Sequence, residues 1–137
     1  MLITALRQQF PELPIHIHTH DTAGTGVASM IACYEAGADV VDCCSDALSG
    51  LTSQPNMGAI VGNYAKSADD TGVELAQLQY LTTYWEGVRR VYAPFESGQK
   101  SAGADVYLHE IPGDQYTNML FQALSLGPAK LSISSSQ

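Results

Sequence analysis

The sequence predicts an α/β fold built on parallel strands, and three observations carry that expectation. Residues 15–21 alternate, with His16, His18 and His20 on one side and Ile15, Ile17 and Thr19 on the other, which is the period of a β-strand. Asp39-Val40-Val41-Asp42-Cys43-Cys44 is a second short run rich in β-branched residues. A helical pattern lies between them, and about 24 residues separate the two strand starts, a normal length for a parallel crossover. Strands this apolar suit a sheet covered on both faces.

The elements follow in order. Leu2, Ile3, Leu6 and Phe10 recur at helical spacing, and Pro11 with Pro14 ends that helix. The histidine strand runs from Ile15 to Asp21 and exits through the polar turn Asp21-Thr22-Ala23-Gly24. Gly24 and Gly26 open a second helix, with Val27, Met30, Ile31 and Tyr34 on one face and Gly37 as its C-terminal cap. After the strand at 39–44, residues 49–55 form a turn in which Thr52 or Ser53 is the expected N-cap, with Pro55 in the first helical turn. That helix continues through Met57, Ile60, Val61 and Tyr64.

Lys66 to Gly72 reads as a polar linker. Leu75, Leu78, Leu81, Trp85, Val88 and Tyr92 mark a long amphipathic helix, and the spacing makes Trp85 a packing residue rather than a ligand platform. Residues 94–104 are expected to be loop, 106–113 extended and 115–126 helical. The Ser-rich stretch 128–137 has no useful periodicity and reads as a frayed tail.

Length and composition bound the function. The 137 residues suffice for one domain with a real core, and 45% hydrophobic with 15% charged side chains is a globular composition. Fourteen acidic against six basic residues give a net charge of -8, and no Lys/Arg cluster exceeds Arg89-Arg90, which argues against nucleic acid and anionic membrane as partners. No apolar stretch reaches the length of a membrane span, and the start of the chain does not read as a secretory leader. Cys33, Cys43 and Cys44 are odd in number, two are adjacent, and no Cys-x-x-Cys is present. They are expected to be small buried residues of a reducing compartment.

The histidine strand carries the chemistry. Imidazole is the commonest ligand for divalent transition metals, and the carboxyl end of a strand is where α/β folds keep their reactive groups. A hydrogen-bonded core histidine is the competing reading for any one of the three.

Five ordered blocks resemble the carboxyltransferase domain of the pyruvate carboxylase family. They are His16-Ile17-His18-Thr19-His20-Asp21-Thr22-Ala23-Gly24, Gly37 to Asp42, Ser49 to Gly58, Tyr84 to Arg89, and Glu110 to Asn118. The resemblance runs in a single register from about Leu13 to Gly127. It implies a partial (β/α)8 TIM barrel, its last two βα units in residues 1–65, then a helical extension over 66–127 and a divergent tail over 128–137. It also implies a divalent metal, manganese or zinc, held by the pair of His-x-His-Asp, here His18 and His20. His16 would sit one layer deeper in the barrel as a core residue, and Asp21 would orient a ligand imidazole from behind.

The family moves a carboxyl group from carboxybiotin to pyruvate and forms oxaloacetate, using biotin and ATP through other domains. Its members are homotetramers of the mitochondrial matrix or the cytoplasm. A full barrel needs about 250 residues, so the remaining metal ligands and the substrate-gripping residues would lie outside this sequence. The threonine credited with proton transfer would fall beyond Gly127, where the resemblance stops. No catalytic residue is therefore assigned, and the isolated chain is expected to be inactive. Two other readings stay open: another metal-dependent barrel lyase or acyl-transferring synthase, and a non-catalytic truncated product.

Overall fold

A computed structural model describes residues 2–96, 100–108 and 111–126. Helix α1 (Leu2–Gln9) leads into strand β1 (His16–Ile17), helix α2 (Gly26–Glu35) and strand β2 (Val40–Val41). The two strands are parallel neighbours, with His16 opposite Val40 and Ile17 opposite Val41. This is the expected α/β crossover, although each ladder is shorter than the sequence pattern. With one partner per strand among the described residues, the alternating run 15–21 pairs over only two positions. A parallel bridge between Cys44 and Asn56 lays the next segment along the end of β2.

Arg7 fastens α1 to the start of β2. Its Nε and Nη2 donate to the Gly37 carbonyl at 3.0 and 2.7 Å, and Nη1 donates to the carbonyls of Pro11 and Leu13 at 2.8 and 3.0 Å. The Nη2 group also meets the Asp39 carboxylate, so every N–H of the fork has an acceptor. Asp39 in turn accepts from the Ile15 amide at 2.7 Å. Gly37 ends α2 at φ +105°, a region closed to most side chains, which confirms its capping role.

Helix α2 is not opened by a cap of its own. Thr25 makes no side-chain cap bond, and the Asp21 carboxylate instead accepts from the Gly26 amide at 2.7 Å. A side chain at Gly26 would collide with that carboxylate and with Pro55, so the close approach demands glycine.

Ile15, Met30, Ala38, Ala47, Ile60, Val61 and Leu78 form the buried core. They come from the residue before β1, α2, the turn before β2, a 3-10 turn at Asp46–Leu48, helix α3 (Met57–Tyr64) and helix α4 (Leu75–Tyr92). The cap of α3 is Asn56, whose side chain accepts from the Ala59 amide at 2.7 Å, rather than Thr52 or Ser53. Those two residues stay in the turn because Gly50 and Gln54 close it, Gly50 N–H donating to the Gln54 carbonyl at 3.0 Å.

The linker 66–72 is a set of tight turns, with the Asp70 carboxylate accepting from the amides of Lys66 and Gly72. Helix α4 lies across the Asp46–Leu48 turn, and Arg89 donates to the Ala47 carbonyl at 3.1 Å. Trp85 is half-buried and meets Tyr84 edge-on at 5.3 Å, as a packing residue would.

Residues 104–108 depart from expectation. Of the run 106–113 read as extended, residues 106–108 belong to a 3-10 helix, Ala104–Leu108, Gly113 opens the next helix, and no strand among the described residues stands beside them to accept a ladder; residues 109–110 lie outside the described residues. The 3-10 helix docks through the Tyr107 hydroxyl, 3.3 Å from Thr25 Oγ1. Helix α5 (Gly113–Ser125) matches the expected helix closely, and the tail at 128–137 lies outside the described residues. The three cysteines are free but only half-buried, not fully buried as expected. No helix among the described residues is long and apolar enough to cross a membrane.

Candidate metal centre

The alternation of β1 sorts its side chains as the sequence implies. Ile15 is buried and Ile17 and Thr19 half-buried, while His16 and His18 stand on the open side with side chains 57% and 55% exposed. His16 is exposed here, and its expected place in the core of a complete barrel is a matter for the strands that would cover this face. No described strand covers that face, and its ring is held by hydrogen bonding instead of by burial.

The partner is Asp42. The parallel register brings the residue after Val41 level with His18, and the Asp42 amide donates to the Ile17 carbonyl at 3.0 Å. One carboxylate oxygen lies 2.6 Å from His16 Nε2 and the other 2.6 Å from His18 Nδ1. The bonds from His16 and then His18 hold the Asp42 carboxyl below the ordinary carboxylate range. An ionised carboxylate only accepts, so both ring nitrogens facing it carry hydrogen.

His20 is fixed by different means. Its Nδ1 lies 2.5 Å from the Thr52 carbonyl, another group that only accepts. The loop carrying Thr52 is tied over the end of β1: the Asp21 amide donates to the Ser53 carbonyl at 2.9 Å, and Thr22 Oγ1 to the Leu51 carbonyl at 3.3 Å. The Cys44 amide then donates to the Pro55 carbonyl at 2.9 Å and the Met57 amide to the Cys44 carbonyl at 3.0 Å, which locks the loop's far end beside β2.

The consequence for metal chemistry is direct. With Nδ1 of both rings engaged by an acceptor, Nε2 of His18 and of His20 is the nitrogen left to ligate when the imidazole is neutral. The two rings sit 5.3 Å apart, centroid to centroid, nearly perpendicular. The Gln54 amide nitrogen lies 3.5 Å from His18 Nε2. These two imidazoles therefore fit a divalent ion in donor chemistry. Among the described residues no third His, Cys, Asp or Glu joins them to complete a site.

Asp21, expected to orient a ligand ring, does not touch one. Its carboxylate is spent on the Gly26 amide at the start of α2. The orienting groups are Asp42 and the Thr52 carbonyl, and sequence reading missed both. The signal for Asp42 was present as an acidic residue at the end of the neighbouring strand, but its partner depends on a register that one sequence does not display. A cavity of about 460 Å³ opens beside the same loop, walled by Thr22, Thr52, Ser53, Arg89, Tyr92 and Phe95 among others.

An α/β unit with its polar and imidazole groups gathered at the carboxyl ends of parallel strands is the arrangement of barrel and open-sheet enzymes. The chain belongs to the HMGL-like family, whose model matches residues 1–80. It is 57% identical over 129 residues to pyruvate carboxylase 1 of Caenorhabditis elegans, covering 93% of this chain and 11% of that protein. Against the human protein named pyruvate carboxylase, mitochondrial, the identity is 54% over 129 residues, again 93% of this chain and 11% of the relative. The carboxyl transferase domain of Rhizobium etli pyruvate carboxylase, solved with pyruvate, superposes with a TM-score of 0.84 at 51% identity, covering 92% of this chain and 21% of that one. The chain thus spans about a ninth of the length of the curated relatives it matches.

Proposed function

We propose that this chain forms part of the carboxyltransferase domain of a biotin-dependent pyruvate carboxylase, with His18 and His20 supplying two ligands of its divalent metal, manganese or zinc. The observation that carries the metal assignment is the shared placement of Nδ1: on each ring it lies within hydrogen-bond distance of an oxygen acceptor, the Asp42 carboxylate at 2.6 Å and the Thr52 carbonyl at 2.5 Å, which leaves Nε2 as the ligating nitrogen. Family membership and the 50–57% identities supply the reaction class.

In this reading residues 1–65 are the closing part of a (β/α)8 barrel, 66–127 a helical extension and 128–137 a divergent tail. The remaining metal ligands come from outside residues 1–137. The chain's own part is to fix both rings before any ion arrives, so that little ordering remains on binding. A divalent ion bound there supplies Lewis acidity to the substrate's oxygens and stabilises the charge of an enolate. The substrates are pyruvate and carboxybiotin and the product is oxaloacetate. Biotin and ATP chemistry belongs to other domains, the assembly is a homotetramer, and the compartment is the mitochondrial matrix or the cytoplasm. The isolated chain has no carboxylase turnover, because two ligands from one strand hold an ion weakly.

A lyase or acyl-transferring synthase of the same barrel type is the weaker reading. The similarity to pyruvate carboxylases continues past residue 80 to cover 93% of the chain.

Metal analysis tests the proposal in a complete barrel carrying these residues. His18→Ala and His20→Ala are each expected to weaken metal binding on the order of a hundredfold or more, since about 10–16 kcal/mol is shared among a zinc site's ligands. Unchanged metal content in both variants overturns the assignment.

A further inference from the structure

We propose that Asp42 is the positioning residue of this centre, clamping His16 and His18 at once so that His18 is held as the Nδ1–H tautomer with Nε2 free for a divalent cation. The metal half of this inference rests on the function proposed above; the clamp itself does not.

Three features support it. The two contacts are equal at 2.6 Å and use different carboxylate oxygens, so the group is fully engaged by the two rings. His16 and His18 lie two residues apart and both reach the same carboxylate, and the strand register, continued by one residue, sets Asp42 level with His18. A carboxylate bonded to His18 alone could still turn about its own axis. The second bond, from His16, fixes its plane and with it the direction of the His18 ring. His16 is thus a brace for Asp42.

The division of labour matters because an unrestrained imidazole favours hydrogen on Nε2, the nitrogen that must be bare to ligate. Asp42 reverses that preference at His18, as the Thr52 carbonyl does at His20. A charged acceptor also raises the basicity of the ligating nitrogen, which a neutral carbonyl does less.

Long-range proton–nitrogen correlation spectra of this chain, without metal, read the tautomers directly. Wild type is expected to show His18 with hydrogen on Nδ1 and His16 with hydrogen on Nε2. In Asp42→Ala, His18 should move to the Nε2–H form. Asp42→Asn keeps the side-chain volume but offers one acceptor and one donor, so one of the two rings must exchange tautomer. Asp39→Asn, on the same strand, should leave both rings unchanged and serves as the control for altered folding. A wild-type His18 with hydrogen on Nε2, or tautomers unchanged in both Asp42 variants, overturns the clamp.

The second readout is competition for cobalt in a complete barrel. Asp42→Ala is expected to weaken affinity about 10–100-fold, with Asp39→Asn close to wild type. Loss of metal in His18→Ala with wild-type affinity in Asp42→Ala overturns the positioning role alone. Wild-type affinity in His18→Ala overturns the metal reading and leaves the tautomer result to decide the clamp.

Discussion

The two ends of strand β2 each carry an aspartate, three residues apart, and the two do opposite work. Asp39, at the amino end, binds the Ile15 amide and the Arg7 guanidinium. Asp42, at the carboxyl end, binds two imidazoles. Both carboxyls are held below their ordinary range, Asp39 chiefly by the Ile15 amide and then by Arg7, Asp42 chiefly by His16 and then by His18. A depressed carboxylate is therefore no marker of function by itself; the partner decides. An amide and a permanent cation have one protonation state each, so Asp39 can only hold structure together. Imidazoles have two neutral tautomers, so Asp42 selects which nitrogen is available for chemistry. The same division runs through barrel folds, where the amino-terminal face serves stability and the carboxyl-terminal face serves reaction.

Three measurements break or sharpen this contrast. The largest effect is expected from the layer both ends share. Met30 is fully buried beneath the strand pair, and Met30→Ala should lower unfolding stability by about 2–5 kcal/mol in a urea titration. If the two ends are independent above that core, the histidine tautomers stay unchanged in the folded fraction. Altered tautomers would mean that the clamp depends on general packing.

Next is Arg7→Lys, which keeps the charge but loses the fork that reaches four acceptor groups. A loss of about 2 kcal/mol is expected, again with no change at His16, His18 or His20. A variant as stable as wild type would remove Arg7 and Asp39 from the structural end.

The smallest effect is in acid. A carboxyl whose folded value is depressed contributes stability that is fully present above the unfolded value and lost as pH falls through the folded one. For Asp39 the unfolded reference is 3.8. Wild type and Asp39→Asn should therefore differ most at neutral pH and converge as pH falls below 3.8. A gap that stays constant down to the lowest measurable pH would assign the effect of the substitution to something other than the Asp39 charge.

Much of the architecture was legible in the chain because it is local. The amphipathic spacing from Leu75 to Tyr92 fixes α4 whatever it packs on, and Gly37 ends α2 because few other residues tolerate its backbone angle. The period-two pattern of 15–21 put His16, His18 and His20 on one side, and the structure keeps them there. The expectations that failed were those that needed a neighbour. Thr52 and Ser53 look as good an N-cap as Asn56 until the loop closure at Gly50 and Gln54 excludes them. Val106-Tyr107-Leu108 looks extended, but a strand needs an adjacent ladder, and none stands beside it among the described residues.

The candidate centre divides in the same way. The sequence by itself determined which residues could ligate, since His18 and His20 share a face through backbone geometry alone. Only the tertiary structure decided what holds them. Asp21, adjacent in sequence, is turned to the Gly26 amide, while Asp42 and the Thr52 carbonyl arrive from 24 and 32 residues away. Hydrogen bonds select tautomers at distances near 2.6 Å, and which acceptor comes that close is set by strand register and loop closure, properties of the folded chain and not of the residue order.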